Sequence, residues 1–144
     1  MRSISHLVEA FWKWTGKQGH WNGMDITKLS LEPLSFPRFE ELRNLCISMI
    51  NAPLSESELD AFLFCMALDS EEEYILDACK KHANVDFLSM LLRSGMVFPQ
   101  RETRWQMSEL MKGDILHKKE FLDVLLSDED AYVRKRAGNI ANEH

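Results

Sequence analysis

The sequence predicts an all-α protein, a short right-handed stack of antiparallel helical hairpins with about seven to eight helices. Three observations carry that prediction. Apolar residues recur at three- and four-residue spacing along most of the chain, and no segment sustains the alternation of a strand. Two serine capping boxes, Ser55 with Glu58 and Ser70 with Glu73, start helices in close succession. A shift of 58 residues lays the chain on itself, so that 64–83 matches 122–141.

Ser3 is placed to cap a first helix over 4–14, whose Ile4, Leu7, Val8, Phe11 and Trp12 share one stripe. The stretch 16–25 contains three glycines and reads as an irregular loop, with Trp21 packing back onto that helix. A second helix is expected from Pro37, with Ser35 as its cap, because proline suits the first helical position. Phe39, Leu42, Leu45, Cys46, Met49 and Ile50 follow at helical spacing, and Asn51-Ala52-Pro53 ends the run. The Ser55 box launches 59–68, and the Ser70 box launches 71–82 so soon afterwards that the two must form a hairpin. Asn84 caps 85–93, which Gly95 closes as a C-terminal stop. Helices are then expected over 103–111, stopped by Gly113, over 118–126, and over 132–141 beyond the acidic turn.

In the 58-residue register Leu68/Leu126, Glu71/Glu129, Tyr74/Tyr132 and Ala83/Ala141 are identical. An intermediate copy pairs Arg104 with Arg134 at about half that spacing, which implies three hairpins. The last copy, FLDVLLSDEDAYVRKRAGNIA, resembles a HEAT-type repeat of the short bacterial kind: an apolar helix, a turn with aspartate, then aromatic-Val-Arg and an alanine-rich helix. The resemblance implies a HEAT-like α-solenoid in which Asp128 or Asp130 pairs with Arg134 and a concave face binds a partner. It weakens over 58–83, where Leu76 stands at the arginine position, and does not cover 1–36. The chain therefore reads as one domain over 1–144, with a non-repeat helix and loop at 1–36 and hairpins over 37–144.

The 144 residues, 45% of them hydrophobic, suffice for one core. The first residues lack a secretory pattern, since Glu9 interrupts a short apolar stretch, and no run approaches the roughly 18 apolar residues that span a bilayer. A cytoplasmic chain without a membrane partner is expected. Cys46, Cys65 and Cys79 are odd in number and match neither a zinc pair nor a disulfide framework, so they read as buried free thiols.

Residues 38–100 carry eleven acidic side chains against five basic ones, and so hold the net charge of −6. A nucleic-acid binder usually shows a basic stripe, and here Arg134-Lys135-Arg136 is the one dense basic cluster. No nucleophile elbow, HExxH motif or glycine-rich phosphate loop occurs. The five histidines, at 6, 20, 82, 117 and 144, are dispersed and read as solvated or capping residues. No cofactor, metal or catalytic residue is expected. Glu58, Asp60, Asp69, Glu71, Glu72 and Asp77 form a candidate acidic patch for a basic partner, although Glu71-Glu72-Glu73 also suits a helix N-terminus. Trp12 and Trp105 read as core. Trp14 lies on another side of its helix from Trp12 and is the candidate exposed aromatic anchor.

Small HEAT-like proteins without catalytic signatures include the immunity proteins of bacterial toxin systems, contact-dependent inhibition among them. The resemblance implies a protein partner, a basic nuclease toxin domain that an acidic inhibitor would occlude, with the free chain a monomer. The alternatives are a regulatory adaptor on another cellular protein and a HEAT-like alkylpurine DNA glycosylase. The acidity and short length argue against the glycosylase.

Overall fold

A computed structural model describes residues 3–16, 26, 35–111 and 117–142, and among them there are eight helices and no strand. In chain order these are α1 (Ile4–Thr15), α2 (Phe39–Ser48), α3 (Glu56–Leu68), α4 (Tyr74–His82), α5 (Val85–Gly95), α6 (Arg101–Glu109), α7 (Lys118–Leu126) and α8 (Ala131–Ala141). The positions of His20, Trp21, Gly113 and His144 lie outside the described residues.

Several boundaries follow the capping chemistry. Ser3 Oγ accepts from the His6 amide, Ser55 Oγ from the Glu58 amide, and Asn84 Oδ1 from the Phe87 amide. Gly16 ends α1 in the left-handed region at φ 73°, where a side chain would be strained. Three expectations need correction. α2 starts at Phe39 rather than at Pro37 and has no side-chain cap from Ser35; the Phe39 amide donates to the carbonyl of Phe36. Gly95 is not a left-handed stop but the last residue of α5. It is glycine because a Cβ there would lie 2.2 Å from Met107 Sδ, so its role is close packing of α5 on α6. The third correction, at the start of α4, belongs to the candidate surface.

α3 is the centre of the molecule. After Asp60 its sequence has no polar side chain until Asp69, and Leu59 and every residue from Ala61 to Leu68 are buried. A helix apolar on all sides must be covered on all sides. α1, α2, α5 and α6 do this. Packing also runs from α2 to α4, α6 to α8 and α7 to α8, and one continuous apolar cluster extends from Ile4 to Ile140.

α6 is buried in spite of its polar sequence, because its side chains bond to main chain. Thr103 Oγ1 donates to the Leu63 carbonyl at 2.7 Å and Gln106 Nε2 to the Met66 carbonyl at 2.8 Å, tying α6 to α3. Arg104 Nη1 donates to the carbonyl of Phe98, six residues upstream, at 2.8 Å. Arg134 Nη1 repeats this in the next hairpin, donating to the carbonyl of Asp128 at 2.6 Å. The pairing of Arg104 with Arg134 in the sequence thus corresponds to one geometry used twice. At the matching place in α4, Leu76 is fully buried and the donor is absent.

The expected pairing of Asp128 or Asp130 with Arg134 is not the one formed. The Asp128 carboxylate takes Arg104 of the preceding hairpin, at 2.8 Å to Nε and 3.3 Å to Nη2. Asp130 instead caps α8, accepting from Tyr132 and Val133, and pairs with Arg101 at 3.0 Å. Both aspartates therefore tie neighbouring hairpins together, and Arg134 is left with a backbone carbonyl.

Candidate protein-binding surface

The turn between α3 and α4 is built on Asp69. Its carbonyl accepts from the amides of Glu72 and Glu73, and its carboxylate Oδ2 accepts from the Ile75 amide at 2.8 Å. Asp69 is therefore the cap of α4, and the capping box expected from Ser70 and Glu73 does not form. Glu73 instead sits in the left-handed region at φ 59°, immediately before the helix. Glu71-Glu72-Glu73 is a turn rather than a first helical turn, and none of its carboxylates makes a cap hydrogen bond to α4.

The acidic residues singled out from the sequence do not form one patch. Glu71, Glu72 and Asp77 are exposed at the start of α4. Asp69 lies beneath them, 1% exposed, and cannot itself meet a partner. Glu58 and Asp60 belong to the opposite end of α3, roughly 16 Å away along the helix at 1.5 Å per residue. Both are half-buried, and Glu58 is already engaged, accepting from the amides of Ile4 and Ser5 and from the Ser5 hydroxyl. The sequence reading of Ser55 and Glu58 as a reciprocal box is half realised: the serine caps α3 while the glutamate caps α1. Trp14 is not an exposed anchor. It is half-buried, with its ring 6.0 Å from that of Phe11 and 5.6 Å from that of Phe36.

Among the described residues the most exposed aromatic is Tyr74, 50% exposed at the first position of α4. Arg43 of α2 stacks over its ring at 4.5 Å and approaches Glu72 at 3.7 Å. The chain matches no family model, no curated protein and no solved structure. A related arrangement occurs at the identical tyrosine of the last hairpin. Tyr132 is exposed, edge-on to Trp105, and Arg136 stacks over Trp105 at 4.3 Å while pairing with Glu109. The signal for both tyrosines was present in the self-match, in which they align at the start of α4 and α8. A shared tyrosine reads equally well as core, and only the burial separates the two.

Electrostatics distinguish the carboxylates. Burial pushes the Asp69 carboxyl up from 3.8 to about 6, against the Ile75 amide and the charge of Arg43. Burial also opposes ionisation of Glu58, but the donors from Ser5 and Ile4 outweigh it and hold that carboxyl below its ordinary value. Cys46, Cys65 and Cys79 are buried free thiols, and burial drives Cys46 well up and Cys79 to about 12. Among the described residues no group of three or more histidine, cysteine or carboxylate side chains could hold a metal ion, and His6, His82 and His117 are exposed. No helix among those residues is long and apolar enough to cross a membrane. Arg134 and Arg136 of the basic cluster are committed to Asp128 and Glu109. Trp12 and Trp105 are buried, as expected.

Proposed function

We propose that this chain is a non-catalytic, HEAT-like protein-binding module, an immunity-type inhibitor that covers a basic toxin domain, a nuclease, in the bacterial cytoplasm. The observation that supports this reading most directly is the surface around Tyr74. Glu71, Glu72 and Asp77 are exposed within three residues of the half-exposed Tyr74, and none is spent on capping α4 because Asp69 does so. An amphipathic ring among carboxylates suits a partner offering lysine or arginine together with aliphatic surface: the ring supplies buried area and the charges steer encounter. The repeated arginine-to-carbonyl geometry of Arg104 and Arg134 supports the repeat assignment. The engagement of Arg134 and Arg136 within the fold supports a protein partner over a nucleic acid.

The test takes a basic nuclease domain encoded beside this chain and measures its activity with and without the purified protein. Stoichiometric inhibition is expected. The triple reversal E71K/E72K/D77K should slow association by ten-fold or more at low salt, and Tyr74→Ala should speed dissociation. Retention of the protein on DNA at physiological salt, or an association rate unchanged by the reversal, would overturn the reading.

A further inference from the structure

Arg43 acts on two carboxylates. It lies 3.7 Å from Glu72 Oε1 and over the Tyr74 ring, and its charge also acts on Asp69. Asp69 Oδ2 has the Ile75 amide, and the Tyr74 amide also favours the ionised carboxyl, while Oδ1 is buried with no hydrogen-bond partner among the described residues. A buried carboxylate with one oxygen unmatched is costly when ionised, and a single nearby cation is the natural compensation. Arg43 of α2 and Glu72 of the turn act on Asp69, and Asp69 in turn acts on Cys46 of α2, with Cys65 of α3 and Cys79 of α4 beside Cys46. Burial keeps the Cys46 and Cys79 thiols neutral, which leaves Arg43 as the compensating charge.

We propose that Asp69 and Glu72 compete for Arg43, with a proton on Asp69 deciding the outcome. When Asp69 is protonated, Arg43 stays with Glu72 and over Tyr74. When Asp69 gives up its proton to solvent, an uncompensated charge appears beneath the turn and Arg43 moves inward toward it. Glu72 then faces solvent beside Glu71 without its guanidinium, and the stacking on Tyr74 loosens. The consequence for a cationic partner, tighter binding as pH rises through the switch, rests on the function proposed above. The switch itself does not.

NMR of the full chain, labelled with 13C and 15N and titrated across mildly acidic to neutral pH, tests it without any partner. The Asp69 carboxyl carbon, the Arg43 Nε–H and the Tyr74 ring should shift together, with one midpoint at about 6. In D69N the Arg43 and Tyr74 signals should lose that transition and stay at their acid-side positions. In E72Q, which removes the competitor, the Asp69 midpoint should move down. Arg43 and Tyr74 signals indifferent to the Asp69 titration, or an Asp69 midpoint unmoved in E72Q, would overturn the proposal. Because no partner enters the measurement, such a failure would leave the reading of the acidic surface standing.

Discussion

The carboxylate of Glu58 closes the N-terminus of α1, accepting from the Ile4 amide at 2.9 Å and the Ser5 amide at 3.1 Å across more than fifty residues of chain. Negative charge at that position meets the unpaired amides and the positive end of the helix dipole together. Glu58→Gln should destabilise the protein by about 1–2 kcal/mol at neutral pH, the cost of a lost charged cap. Because the folded carboxyl lies below its ordinary value of 4.5, its stabilisation is present above that value. It is lost as pH falls through the folded pKa. Urea unfolding of wild type and variant at neutral pH and near pH 3 checks both statements: the difference should shrink in acid.

Asp69 works in the opposite direction. Its carboxyl is raised from 3.8 to about 6, so the ionised form is the one the fold disfavours. Its contribution to stability is fully present below pH 3.8 and is lost as pH rises through about 6. Asp69→Asn keeps an acceptor for the Ile75 amide and carries no charge. It should equal or exceed wild-type stability at pH 7, by no more than about 3 kcal/mol, and should flatten the pH dependence between those values. Thermal unfolding of the two proteins across that range decides it.

Gly95→Ala places a methyl group 2.2 Å from Met107 Sδ and 2.8 Å from Met107 Cγ, mid-chain atoms in a fully buried side chain. The expected cost is about 1–3 kcal/mol from overpacking. Adding Met107→Ala should recover part of it, so the two substitutions should be non-additive in a double-mutant cycle.

Arg104 and Arg134 share one backbone contact and should differ sharply when removed. Arg104 is buried, carries the carbonyls of Phe98 and Pro99, and holds Asp128. Its replacement by alanine should cost about 3–5 kcal/mol because Asp128 is left without its cation. Arg134 is exposed, and its replacement should cost less than about 1 kcal/mol. Equal losses in chemical denaturation would contradict the roles given to them.

The helices were legible because apolar spacing and caps at Ser3, Ser55 and Asn84 act locally. The match of Arg104 with Arg134 was legible because both donate to a carbonyl six residues upstream. What escaped reading was the allocation of carboxylates. Glu58 looked like half of a local capping box, yet its partners lie in α1, and no spacing rule encodes a contact between distant helices. Ser70 and Glu73 had the right separation for a cap, but the buried Asp69 was better placed to meet the Ile75 amide. Asp128 was expected to serve its own hairpin and serves its neighbour's arginine instead. Trp14 had the spacing of an exposed side chain, and the approach of Phe36, together with Phe11, half covers it. The surface tyrosine Tyr74 was visible only as a match to Tyr132.

The complete covering of α3 sets how the chain should come apart. In an array whose units touch only their neighbours, the ends can fray while the middle survives. Here α1, α2, α5 and α6 all close on the same helix; losing α1 would strip Phe64 of Phe11 and Trp12, and losing α5 would strip Phe62 of Phe87. Unfolding should therefore be a single cooperative event, with the amides of α3 exchanging only as fast as the whole molecule opens, and a fragment ending after α4 should not hold a native core.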